Sequence, residues 1–540
     1  MLQPIRIALL LVTFLVSATS VAAKICLQLP DYSNAEFSFI DDVKVTSFDN
    51  AQIAANLFIP KQTAPASGFP TIIFVNSWVL DEHQYMLQAK QFAAKGYLVF
   101  SYSARGWGCS DGQVNVAGDN DISDLSMIID WLLANTAADP NNIGISGISY
   151  GSGISLLGLA KEPRIKTAVA MSTWASLAES LYQNETPRLF WGFLLVASGF
   201  LTADLEPIIN QNYQNLIFNR DIPQTLEWAQ QRSADQVINL INERQAPVYL
   251  ANNFGDNLFQ PNNLIAFYQQ LSGPKRLDLN QGTHASAEGF GLIGLNNYTW
   301  NNTHRWFDYW LKGVDNGIMD QPAVTMDVAN GQRVSFANWP SNNTETRRFY
   351  LTPRSLLTHG GLDLSPHRSW WPKTNRIYSG IDTLATTGIP LVSEVLDAHL
   401  NLPVKTPLGL IARSNGIVFQ SERLATPLAI RGIPKLSINL SSYSSKWQLN
   451  AYLYDVDRFG VGTLITHGPI TRYAAPTHQR LTVDWNLVAS AYDIPAGHKI
   501  ALAIDTADAL YAPPTLLPYQ VDFKFANQYQ STLEITVVND

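Results

Sequence analysis

Between residues 42 and 320 the chain alternates compact apolar runs with stretches of helical period. Val43, Val45 and Phe48 lead into a turn at Asp49-Asn50, and Ile53, Ala55, Leu57 and Ile59 alternate behind it, which predicts a hairpin. Residues 69–75 and 97–102 are β-like runs; between them, residues 85–95 are amphipathic and closed by Gly96. Ile122, Leu125, Ile128, Ile129 and Leu132 share one face of a helix over residues 121–134. A short β-prone run at 142–146, a small apolar helix at 152–160 and a strand at 168–172 follow. Strands alternating with helices predict a parallel sheet covered on both faces.

Residues 181–243 break this alternation. They hold several helical runs, including Phe190-Trp191-Gly192-Phe193-Leu194-Leu195, and no β-like stretch, so they read as a helical cap inserted over the sheet. Alternation resumes with a strand at 246–250, a helix at 264–271, a strand at 275–279 and a helix at 303–311. Beyond Pro322 the texture changes to short β-like runs separated by Gly, Pro, Asn and Ser, among them 323–328, 347–351, 436–440, 448–455, 499–505 and 532–538. That pattern predicts an all-β jelly-roll sandwich. The expected organisation is an α/β domain over 24–180 and 244–320, the cap over 181–243, and the β domain over 321–540.

One stretch inside the alternation carries chemistry. Gly147-Ile148-Ser149-Tyr150-Gly151 is Gly-x-Ser-x-Gly between a predicted strand and a predicted helix, the context of a nucleophile elbow. A second copy, Gly108-Cys109-Ser110-Asp111-Gly112, runs into a polar loop with no helix, so context favours Ser149 over Ser110. A serine needs a base, and the base needs a carboxylate to orient it. Asp256 lies in the turn after the 246–250 strand, and His284 after the 275–279 strand, in the order such folds use. The oxyanion donors expected are the backbone N–H of Tyr150 and the indole N–H of Trp78, in the loop after the 69–75 strand. Trp174, Phe190 and Trp191 are candidates to line the substrate pocket.

At 540 residues with 46 % hydrophobic and 15 % charged residues, the chain is globular and long enough for more than one domain. A net charge of −8 with no basic run argues against nucleic acid as a partner. Arg6, the apolar run 7–16 and Val21-Ala22-Ala23 read as a signal peptide over 1–23, which predicts a secreted or periplasmic protein; no later run is apolar enough to span a membrane. The two cysteines, Cys26 and Cys109, form either one disulfide or two free thiols. No Cys/His spacing suggests zinc. Asp119, Asp121 and Asp124 read as acids complementing a helix N-terminus rather than as a calcium loop. No metal or cofactor is expected.

Several motifs in one order strengthen this reading: Arg105-Gly106-Trp107-Gly108-Cys109-Ser110-Asp111-Gly112, the Ser149 elbow, Gly255-Asp256, Gly282-Thr283-His284, the 305–313 helix, Ala451-Tyr452-Leu453-Tyr454-Asp455-Val456 and Ile494-Pro495-Ala496-Gly497-His498. Together they resemble the cocaine-esterase and X-prolyl dipeptidyl-peptidase family of serine hydrolases. The resemblance implies an α/β-hydrolase domain with a C-terminal jelly roll, a structural role for Ser110, and hydrolysis of an ester or amide through an acyl-enzyme. The substrate is then a small ester or a short peptide, with X-prolyl dipeptidyl peptidase as the alternative to esterase. Holding a dipeptide's free amino group needs acids, for which Glu179, Glu185 and Asp204 are candidates. A more distant alternative is an inert glycan-binding protein. The family commonly has a tyrosine at the place of Trp78, its hydroxyl helping to form the oxyanion hole.

Overall fold

The computed structural model describes residues 26–368, 371–400 and 402–538. The expected signal peptide lies outside the described residues. The first domain is a ten-stranded sheet: β1 (Phe37–Thr46), β2 (Gln52–Pro60), β3 (Phe69–Val75), β4 (Leu98–Tyr102), β5 (Ala138–Ile148), β6 (Ile165–Met171), β7 (Val248–Asn253), β8 (Lys275–Asn280), β9 (Val324–Met326) and β10 (Val334–Phe336). Its spatial order is β1-β2-β4-β3-β5-β6-β7-β8-β9-β10. The run from β4 to β9 is parallel, and antiparallel pairs close both edges. The central strands are buried along their length because helices cover both faces, which is why they read as continuous apolar runs.

The covering helices are α1 (Met86–Ala94), α2 (Asp119–Asn135), α3 (Tyr150–Lys161), α9 (Pro261–Gln270), α10 (Ser286–Leu292) and α11 (Tyr298–Lys312). The cap supplies α4 (Leu177–Tyr182), α5 (Leu189–Thr202), α6 (Pro207–Phe218), α7 (Ile222–Gln230) and α8 (Ile238–Glu243). Helix α3 is buried on every side from Tyr150 to Ala160, and its glycines and serines admit that packing. Helix α11 begins five residues before the expected start. The Asn- and Thr-rich sequence there is a poor helix former, but Asn297 caps it at 3.1 Å and Trp300, Trp306 and Phe307 are buried.

The C-terminal domain is all-β, with fourteen strands among the described residues. Its core draws on Leu351, Ile438, Leu449, Leu453, Ile504 and Ile535. The run 323–328, expected in this domain, instead supplies β9 of the first sheet: Leu277 pairs with Val324 and Leu279 with Met326. A three-residue strand has too little pattern to announce which sheet it joins. The β domain braces the cap, since Ala512 donates to the Pro187 carbonyl (3.0 Å) and Phe190 to that of Leu510 (3.3 Å). No helix among the described residues is long and apolar enough to cross a membrane.

Candidate active site

The turn from β5 to α3 is tight enough to force Ser149 into a backbone conformation that L-residues rarely adopt, φ 58° and ψ −116°. The Ser149 N–H donates to Met171 at the end of β6 (2.9 Å), which holds it there. Small neighbours are compulsory. A Cβ on Gly147 would lie 2.4 Å from the Gly151 carbonyl carbon, and one on Gly151 would lie 2.1 Å from the Val75 carbonyl oxygen. Helix α3 starts at Tyr150, so its first unpaired N–H groups open beside Ser149.

Asp256 follows β7 and is fully buried. Its Oδ1 accepts the N–H groups of Leu258 (2.9 Å) and Phe259 (2.8 Å), leaving Oδ2 to meet His284 Nδ1 at 2.8 Å. His284 Nε2 lies 2.7 Å from Ser149 Oγ. With Nδ1 donating to the carboxylate, Nε2 is the acceptor of the serine proton. Two backbone bonds tie the acid and histidine loops together, Phe254 to Asn280 and Gly255 to Gly282, both 2.9 Å. Trp191 and Phe259 meet the imidazole edge-to-face, at 5.6 and 5.0 Å between centroids. Arg188, which the sequence pattern did not single out, is buried at the start of α5 and donates to the Asn257 carbonyl (2.8 Å), fastening the acid loop to the cap.

Trp78 is not placed as expected. Its indole N–H donates to the Leu195 carbonyl of α5 at 3.0 Å, so it is not free to serve an oxyanion. The backbone N–H groups of Trp78 and Tyr150 donate to no acceptor among the described residues. The Asn76-Ser77-Trp78 loop is fixed to the elbow by Ser77 Oγ, which donates to the Ile148 carbonyl (2.9 Å). The Trp78 ring packs edge-to-face on Trp107 (4.7 Å) and Tyr150 (5.6 Å).

Ser149 opens on a cavity of about 100 Å³ beneath the cap. Trp78, Trp174, Leu181, Leu195, Tyr213 and Trp228 are among its walls, and none of the residues lining it carries a charge. Of the three aromatic candidates, only Trp174 lines this cavity; its indole donates to the Arg232 carbonyl (2.7 Å). Trp191 stands against the imidazole instead, and Phe190 packs on Trp191 (5.9 Å). Of the candidate acids, Glu179 is exposed on α4, Glu185 pairs with Arg472 of the β domain (3.1 Å), and Asp204 accepts from Gln113 (3.2 Å).

Ser110 Oγ donates to the Ser103 carbonyl (2.6 Å) and accepts the Ala54 N–H (2.8 Å), which joins its loop to β2. Arg105, from the same loop, grips Asp124 with two bonds (2.8 and 2.7 Å). Asp119 pairs with Lys161 (2.8 Å), and Asp121 accepts from Tyr150 Oη (3.2 Å), so Asp119, Asp121 and Asp124 serve three separate partners. Burial, with Asp124 adding its charge, pushes the Asp121 carboxyl up to about 7. Asp81, Glu82 and His83 bring potential ligand atoms within 4.8 Å of one another, a cluster not read from the sequence. His83 has both ring nitrogens against carboxylates, Asp41 at 3.0 Å and Asp81 at 3.3 Å, which makes this an ion-pair cluster first. Cys26 and Cys109 are joined as a disulfide.

The sequence model of the X-Pro dipeptidyl-peptidase S15 family matches residues 49–286, and that of the X-Pro dipeptidyl-peptidase C-terminal non-catalytic domain matches 316–534. The chain belongs to this family. Within it, a Bacillus cereus relative assigned by name to the Xaa-Pro dipeptidyl-peptidases is 23 % identical over 80 % of this chain and 77 % of its own length. A CocE/NonD family hydrolase from Staphylococcus aureus superposes with TM-score 0.73 at 15 % identity, covering 97 % of this chain and 98 % of that one. An α-amino acid ester hydrolase superposes with TM-score 0.71 at 14 % identity, covering 96 % and 100 %. The family is one of serine hydrolases, and the α/β domain followed by an all-β domain is its shared architecture.

Proposed function

We propose that the chain hydrolyses esters of uncharged, largely apolar groups through an acyl-enzyme on Ser149. Ser149 Oγ attacks the ester carbonyl while His284 Nε2 takes its proton, and Asp256 holds the imidazole in the tautomer that accepts it. The oxyanion is received by the backbone N–H of Tyr150 and, in place of the indole, the backbone N–H of Trp78. His284 then returns the proton to the leaving alcohol, and water repeats the sequence on the acyl-enzyme.

The observation that carries this reading is the hydrogen-bonded chain from Asp256 through His284 to Ser149, opening on a cavity without a charged wall. The relatives' names favour a second reading, an Xaa-Pro dipeptidyl peptidase. A dipeptide's free ammonium group buried in such a cavity needs a carboxylate partner, and none lines it. Comparing a short-chain nitrophenyl ester with a dipeptide-proline anilide tests the choice. The ester is expected to be turned over with the higher kcat/KM, and preference for the anilide would reverse the assignment. Export from the cytoplasm goes with this proposal, and the Cys26–Cys109 disulfide supports it, because such bonds persist in oxidising compartments.

A further inference from the structure

Glu288 lies four residues beyond His284 in α10, fully buried, and takes no part in the chemistry above. Its Oε2 accepts from Ser172 Oγ (3.1 Å) and from Asn253 Nδ2 (3.0 Å). Asn253 also donates to Ser172 Oγ (3.0 Å), and Ser172 Oγ accepts the N–H of Ala285 (3.1 Å). Each partner is the neighbour of a triad loop. Ser172 follows Met171, whose carbonyl holds the Ser149 N–H; Asn253 stands three residues before Asp256; Ala285 follows His284. Two of these residues sit in the left-handed region, Ser172 at φ 46° and Ala285 at φ 59°, so the loops need an external hold. The far side of α10 is clamped as well, by Trp300 Nε1 on the Glu288 carbonyl (2.9 Å).

Resting on the triad reading, we propose that Glu288 is a positioning residue whose carboxyl joins the three loops and fixes His284 between Ser149 and Asp256. Burial pushes that carboxyl up toward its neutral form, and the charge of Asp256 acts in the same direction. The titratable group that acts on it is Asp256. A neutral acceptor therefore suffices, which separates Glu288→Gln from Glu288→Ala.

The test is made on the full chain with a short-chain nitrophenyl ester. Glu288→Ala is expected to lower kcat about 100-fold with KM changed by less than about threefold, the signature of a displaced base beside an intact pocket. Glu288→Gln is expected to keep kcat within about threefold of the parent and the same acid limb in its pH profile. A folded Glu288→Ala with the parent's kcat, or a Glu288→Gln as damaged as Glu288→Ala, overturns the proposal. If Glu288→Ala does not fold, Ser172→Ala decides: it is expected to lower kcat about tenfold, and an unchanged kcat overturns the proposal. Ser149→Ala is run beside them. An inactive Ser149→Ala with an unaffected Glu288→Ala removes only the positioning role, whereas an active Ser149→Ala removes the triad reading beneath it.

Discussion

Trp78→Phe separates two accounts of the oxyanion site. If the indole N–H were an oxyanion donor, its removal would cost about 3–4 kcal/mol in the transition state, slowing turnover by about 10²–10³-fold. In the structure that N–H is 3.0 Å from the Leu195 carbonyl and holds the loop to the cap helix. Its loss then removes one hydrogen bond from a carbonyl that Ser198 Oγ also meets (3.3 Å), at about 1 kcal/mol. The smaller phenyl ring weakens the edge-to-face contacts with Trp107 and Tyr150 by about 1 kcal/mol more. Trp78→Phe should therefore lose about 2 kcal/mol in urea denaturation while kcat on a nitrophenyl ester stays within about threefold of the parent. Steady-state kinetics and denaturation on one preparation read both numbers. Turnover slowed about 100-fold or more, at unchanged KM and unchanged stability, would refute the reasoning and return the indole to the oxyanion hole.

Three further outcomes follow from the packing and charge around the site. Burial opposes the imidazolium of His83, but Asp81 and Asp41 outweigh it and hold the group at about 9. That stabilisation is complete below the ordinary pH 6.5 and is lost as pH rises through 9. The parent should thus lose up to about 3 kcal/mol more than His83→Gln between pH 6 and 10. Asp121, raised to about 7 by burial and Asp124, has the opposite consequence, since its charged form is disfavoured in the fold. Its own contribution to stability is most favourable below pH 4 and declines toward 7, so Asp121→Asn should match the parent at pH 4 and exceed it at pH 8 by up to about 4 kcal/mol in denaturant titrations. Gly151→Ala would bring a Cβ to 2.1 Å from the Val75 carbonyl, where only backbone can give way; it should lose at least about 2 kcal/mol, and an unchanged denaturation midpoint would contradict the elbow's packing.

Much of the α/β domain was legible because its strands and helices keep separate periods and the elbow's glycines are imposed by contact distances. Context also separated the two serine motifs: a helix follows Ser149, whereas Ser110 is spent on the Ser103 carbonyl and the Ala54 N–H. What sequence could not show is pairing across long separations. Trp78 meets a carbonyl 117 residues away, and His83 meets Asp41 across 42, so neither partner could be read from local pattern. The same holds for Arg188 and Glu288, whose burial depends on how the cap and the histidine loop fold over them. The domain boundary at residue 321 shifted for a different reason. The composition does change near Pro322, but β9 is still drawn into the parallel sheet by β8. Trp191 was a reasonable pocket candidate by composition, yet the rotation of α5 sets it against the imidazole.

The central claim is that Ser149 is the nucleophile. Labelling the full chain with a fluorophosphonate probe and mapping the adduct by mass spectrometry tests it most directly. The account predicts one adduct per chain on Ser149, absent from Ser149→Ala, which should also lack ester turnover while keeping its fold. An adduct on Ser110 or any other residue, or a Ser149→Ala that still hydrolyses the ester, would contradict it.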